Sequence, residues 1–226
     1  VITKQRLIAN STSGLVAYGA NLLVQVWLYQ YLIKRISPGE YSLYPVVGAL
    51  LIFVAPLMAI LAAGLARDTV EAHSRNDNRR VTEITSTMFP LLLAAGVVVA
   101  LCGLIATKYL GFLLRIAPED MSEARLMVLL LFVSVSLRLS LIPFGVGLYV
   151  RQKFVLSNAL STLQTLMRVV LLLALLLGAG PRVLWVVVAS VGSDLVFLFA
   201  SVVISVRVLP SLRFRFVCIR WELLSG

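Results

Sequence analysis

Residues 183–209 read VLWVVVASVGSDLVFLFASVVISVRVL, with one acid, Asp194, and one base, Arg207, in an otherwise apolar, small or hydroxylated run. As a helix this run rises roughly 40 Å at about 1.5 Å per residue, more than the roughly 30 Å hydrocarbon core of a bilayer. Its length and near-absence of charge make it a membrane span, not the core helix of a soluble domain. Working outward, charged residues and Pro/Gly punctuation delimit five more apolar runs, near 8–33, 41–66, 84–107, 126–150 and 154–178. The expected fold is all-α: a polytopic integral membrane protein, with one six-helix transmembrane bundle over residues 1–226.

Composition agrees. Of the 226 residues 60% are hydrophobic and 13% charged, with a mean hydropathy of +0.99. Ordinary globular chains have about 45–50% apolar and 25% charged residues. A soluble domain or soluble enzyme is excluded, and the short loops leave no room for a separate soluble domain. The net charge of +10 would suit a phosphate-backbone binder. Here the bases punctuate apolar runs, which is how membrane topology is written, so no nucleic acid partner is expected.

Lysine and arginine are unevenly divided between the two sides. The termini, the 67–80 stretch and the turn at 151–153 carry twelve, the opposite loops six. The richer side is expected to be cytoplasmic, with both termini in the cytosol. Cys102 falls in a span and Cys218 in the polar tail, which indicates neither a disulfide nor a metal site. The opening residues lack a signal-peptide pattern, and Val1 in place of Met points to a trimmed or partial chain.

Pro45, Pro56, Pro90 and Pro143 lie within the apolar runs. Proline and glycine are common in membrane helices, and such sites kink a helix where neighbours satisfy the freed backbone groups. The sharper reading applies to Pro143-Phe144-Gly145-Val146-Gly147, with Pro143, Gly145 and Gly147 as a hinge. Ala55, Ala59 and Ala63 recur every four residues, a smooth stripe expected to pack against another helix.

Three ionisable residues lie deep in the spans: Arg138, Arg168 and Asp194. Each costs about 2.5–3.5 kcal/mol at the bilayer centre, so none is expected to face lipid. Depth counting along antiparallel helices puts all three near the midplane. One reading is a buried Arg168–Asp194 ion pair locking two helices. The other is a wetted cationic cavity, in which a guanidinium fork is open to an anion such as a phosphate. Ser13, Ala17, Asn21 and Gln25 form a polar or small stripe on the first span, suited to interhelical hydrogen bonds or to lining that cavity. The 67–80 stretch reads as a solvated linker or short surface helix, able to touch anionic headgroups. It holds His73, the only histidine, without companion ligands; no metal or cofactor is expected.

Certain motifs carry a family resemblance. Leu7-Ile8-Ala9-Asn10-Ser11 leads into the first span, and Ile36-Ser37-Pro38-Gly39-Glu40-Tyr41 joins the first two. Gly64-Leu65-Ala66-Arg67 closes the second span, Asn76-Asp77 follows in the charged stretch, and Arg151-Gln152-Lys153-Phe154 opens the span holding Asn158 and Arg168. Together these resemble the polysaccharide (O-antigen type) flippases of the multidrug/oligosaccharidyl-lipid/polysaccharide exporter superfamily. The pattern usually has Gly after Tyr41, and this chain has Ser42.

The resemblance implies one lobe of a two-lobe transporter, the amino-terminal six-helix half, in a bacterial or archaeal cytoplasmic (inner) membrane. The implied partners are a lipid-linked oligosaccharide, membrane lipids and a second six-helix half on the same or another chain. Polyprenyl pyrophosphate would lie against Arg138 and Arg168, sugars along Asn21 and Gln25, and alternating access would move them without breaking a bond.

Two rival readings have different sequence requirements. A cation-coupled multidrug exporter would use Asp194 as its coupling carboxylate, which two deep arginines disfavour. A non-transporting half or membrane scaffold would need a partner bundle. An enzyme is not expected: Glu119, Asp120 and Glu123, the one tight acidic group, have no His or Cys beside them.

Overall fold

A computed structural model describes scattered residues between 12 and 34 and the stretches 43–49, 51–52, 54–113 and 120–215. These are helical wherever they form regular structure: α1 Leu43–Ala49, α2 Val54–Ser74, α3 Asn78–Lys108, α4 Leu110–Leu113, α5 Met121–Gly145, α6 Gly147–Val150, α7 Phe154–Gly178 and α8 Leu184–Val208. Four stretches are long and apolar enough to cross a membrane: α3, α5 with α6, α7 and α8. Val97, Val98, Leu101, Leu104 and Ile105 of α3 are each more than half exposed. Apolar surface of that extent is stable against lipid. The chain is therefore an all-α, multi-pass membrane protein.

The expected boundaries 154–178 and 183–209 match α7 and α8 to within a residue. The first expected span, 8–33, lies mostly outside the described residues, and those described within it are helical. The second, 41–66, is corrected: α1 ends at Ala49 and α2 restarts at Val54, with a turn at Leu51 and Ile52. Pro45 and Pro56 explain this arrangement. Each is the third residue of its helix, where the missing N–H has no intrahelical acceptor to lose; Pro56 further inside a helix would clash with the preceding turn.

The polar 67–80 stretch is corrected as well, since α2 runs on to Ser74 and α3 begins at Asn78. Asn76 takes a left-handed φ of 56°. The Asp77 N–H then reaches the Ala72 carbonyl and the Asn76 N–H that of His73, both at 3.0 Å, closing α2 with a Schellman motif. Asp77 in turn caps α3, its Oδ1 accepting from the Arg80 N–H at 2.8 Å. Asp77→Ala should cost about 1 kcal/mol, read as a lower unfolding temperature in mild detergent. The turn at 151–153 repeats the device: Gln152 has φ 53°, and the Lys153 N–H bonds the Leu148 carbonyl at 2.9 Å.

The chain packs as two compact units. One comprises Val1–Leu50, Leu104–Leu131 and Phe154–Phe197. Within it α7 turns into α8 through Gly180, whose φ of +89° suits a residue without Cβ. Arg182 of that turn lies 3.3 Å from Glu123 at the start of α5. Gly14 faces Asn158 of α7, at ordinary contact distance for an added Cβ.

The other unit comprises Leu51–Gly103, Phe132–Lys153 and Leu198–Gly226. Its core joins Leu65, Ala66 and Ala72 of α2, Val81 and Ile84 of α3, Val146 and Val150 around α6, and Leu209 and Leu212 after α8. Ala59 and Ala63 are exposed. Among the described residues, the face of α2 that this core buries is instead that of Leu65, Thr69 and Ala72.

After α8 the segment Leu209–Arg215 straps the start of α3. Thr82 donates to the Ser211 carbonyl at 2.8 Å, and Ser86 accepts from the Arg215 N–H at 3.0 Å. Phe89 of α3 meets Phe144 and Phe214 edge-on at 5.1 and 5.3 Å. The segment after α8 is thus, at least to Arg215, part of the packing.

Candidate functional site

Among the described residues, the deep amide and charged side chains of the first unit lie on α7 and α8. Gln164 and Arg168 are four residues apart, hence one turn apart on one side of α7. Gln164 Nε2 donates to Asp194 Oδ1 across the two antiparallel helices. That bond sets Asp194 at the level of Gln164, with Arg168 about 6 Å further along α7. All three fall in the middle of 25-residue helices.

Arg168 has a different environment from Asp194. Its side chain is half-buried, and Nε is enclosed without a hydrogen-bond partner. Among the described residues it forms no ion pair. A buried unsatisfied donor costs about 1–3 kcal/mol, more when charged. A guanidinium at that depth therefore calls for an acceptor, either water or an anionic group.

Arg138 belongs to the second unit, in α5, and its side chain is exposed. Around it α5 buries Ser134 and Ser140. Ser136 donates to the Gly96 carbonyl of α3 at 2.7 Å, and Ser140 to the Ser136 carbonyl at 2.9 Å. Hydroxyls in these apolar helices thus find backbone acceptors, as membrane packing requires.

The Pro143-to-Gly147 run interrupts α5, which ends at Gly145; α6 starts at Gly147, with Val146 between them in helical geometry (φ −72°, ψ −13°). The two glycines differ. Gly145 has open space where a Cβ would stand, whereas one on Gly147 would lie 2.5 Å from Ser205 Oγ and 2.8 Å from the Ser205 carbonyl oxygen.

Asn21 and Gln25 lie outside the described residues. Gln164, not among the deep polar residues singled out above, carries its own signal in the sequence: an amide in an apolar run four residues before Arg168. Among the described residues no three His, Cys, Asp or Glu side chains cluster as a metal site. Burial first, and then the charge of Arg151, push the His73 imidazole below its usual range and favour its neutral form.

Comparison with family profiles, curated proteins and solved structures finds no match to this chain in any of the three.

Proposed function

We propose that this chain is one six-helix bundle of a transporter moving an anionic, lipid-linked oligosaccharide across the cytoplasmic membrane. It would be the amino-terminal half of a flippase, with both termini in the cytosol. The observation that carries the reading is Arg168: a guanidinium in the middle of a spanning helix, with a buried Nε that has no partner. Arg138 adds to it, because an exposed mid-span arginine is far less costly facing a wetted cavity than facing lipid. A pyrophosphate would supply the acceptor oxygen that the Arg168 Nε lacks, and a guanidinium binds phosphate oxygens in a fork. Gln164 occupies Asp194, which supports a positioning role for that carboxylate over cation coupling. The second bundle, on the same or another chain, would complete the site, and rocking of the two would alternate its access.

The test is translocation of a labelled polyprenyl-pyrophosphate glycan in proteoliposomes containing the complete transporter. Arg168→Ala should weaken substrate affinity at least tenfold, the scale of a charged hydrogen bond, with Arg168→Lys intermediate. Arg138→Ala should also slow translocation. Unchanged transport in both alanine variants rejects the phosphate role, and loss of ion-driven transport confined to Asp194→Asn would favour cation-coupled export.

A further inference from the structure

A second basic site lies at the strapped end of the bundle, where α3 begins and α6 and α8 end. A pocket of about 680 Å³ is lined by Arg79, Arg151, Arg213 and Arg215, with Thr82 and Ser211. These arginines come from three distant stretches, and it is the strap after α8 that brings them together. Arg79 is engaged by Glu83 at 3.1 Å, and Asp77 caps the Arg80 N–H. Arg151, Arg213 and Arg215 form no ion pair among the described residues.

Two further features point to an anion. The pocket adjoins the amino-terminal end of α3, where the helix dipole favours negative charge. The Ser211 hydroxyl in this wall is buried without a hydrogen-bond partner, so the wall holds an unsatisfied donor. Like-charged guanidinium groups around one cavity repel, and an anion between them turns repulsion into attraction.

Depth selects the source of that anion. The 25 residues of α8 span roughly 37 Å, more than the hydrocarbon core, so its end at Val208 and the strap beyond it stand at headgroup level. We propose that this pocket binds the phosphate of an anionic phospholipid headgroup, which pins the strap to α3 and α6. The proposal is independent of what the bundle transports.

The experiment is native mass spectrometry of the chain released from nanodiscs of phosphatidylcholine with a minor fraction of phosphatidylglycerol. Arg213→Gln and Arg215→Gln should each reduce retained phosphatidylglycerol about fivefold, and the double variant roughly 20-fold. Arg75→Gln, which removes an equal charge from the α2 end, should leave retention unchanged. Arg213→Lys, which keeps the charge, should retain most of it and so guards against misfolding of the glutamine variants. Equal loss with Arg75→Gln, or no loss in the double variant, overturns the site. Displacement of the lipid by inorganic phosphate at matched concentration would overturn the lipid assignment in favour of a soluble phosphate.

Discussion

Gly96→Ala should destabilise the protein by about 2–3 kcal/mol, although the same exchange in an unconstrained helix stabilises by roughly 0.5–1 kcal/mol. The sign reverses because α3 and α5 touch at this residue. A Cβ there would lie 2.4 Å from Ser140 Oγ and 2.8 Å from the Ser136 carbonyl oxygen. Ser140 can rotate away, but the Ser136 carbonyl is helix backbone and can yield only if the two helices separate. Separation would also break the 2.7 Å bond from Ser136 to the Gly96 carbonyl. Two turns along, Gly103 repeats the contact, with the Phe132 Cβ 2.4 Å from where its own would stand. Close approach over small residues is how membrane helices gain packing where lipid removes the hydrophobic drive between them. Gly64 of α2 is the control: nothing lies within 4 Å of its Cβ position, so Gly64→Ala should raise stability. Thermal unfolding in mild detergent checks both, and equal unfolding temperatures for the two variants would remove the α3–α5 contact.

Gly147→Ala should cost a comparable amount, about 2 kcal/mol or more, while Gly145→Ala, two residues earlier, should be neutral or better. At 147 the added methyl meets Ser205 of α8 and the Leu212 Cδ1 of the strap at 2.8 Å or less, Ser205 through its backbone as well as its hydroxyl. The Leu212 side chain can move; the Ser205 carbonyl cannot. Displacing α6 would further disturb Val146, Val150, Leu209 and Leu212, which share one core. A glycine kept for hinge motion would instead show little change in stability and a change in transport rate. Unfolding temperatures alongside translocation rates for the two alanine variants therefore separate packing from hinging at each position.

These two predictions show how unequally the sequence revealed its own details. The spans that became α7 and α8 were readable to within a residue, because a run of about 25 mostly apolar residues bounded by charged or Pro/Gly turns admits one structure in lipid even with a single deep charge in it. The run at 41–66 was not, because apolar content says nothing about where a proline may sit in a helix. Pro56 forced α2 to restart at Val54. The polar 67–80 stretch, read from its charge as a linker or a short surface helix, is instead the end of α2 and the start of α3, which the caps at Asn76 and Asp77 allow to meet with almost no loop.

The candidate site was legible to the same degree. Arg168 and Asp194 stand out in any hydropathy reading, since charge at that depth is costly. Their partners do not: Gln164, and not Arg168, donates to Asp194, a choice made by rotation about two helix axes that no one-dimensional spacing encodes. The arginines of the strapped pocket looked like topology signals, and only the path of residues 209–215 across α3 gathers them.

By itself, then, the sequence determined the solvent and the helical class and set Arg138, Arg168 and Asp194 within long apolar runs, all bound up with the cost of placing polar groups in hydrocarbon. Tertiary structure decided which glycines are contacts, which amide holds the carboxylate and which bases share a cavity. Those outcomes depend on helix rotation and close packing between distant segments, to which composition and periodicity are blind.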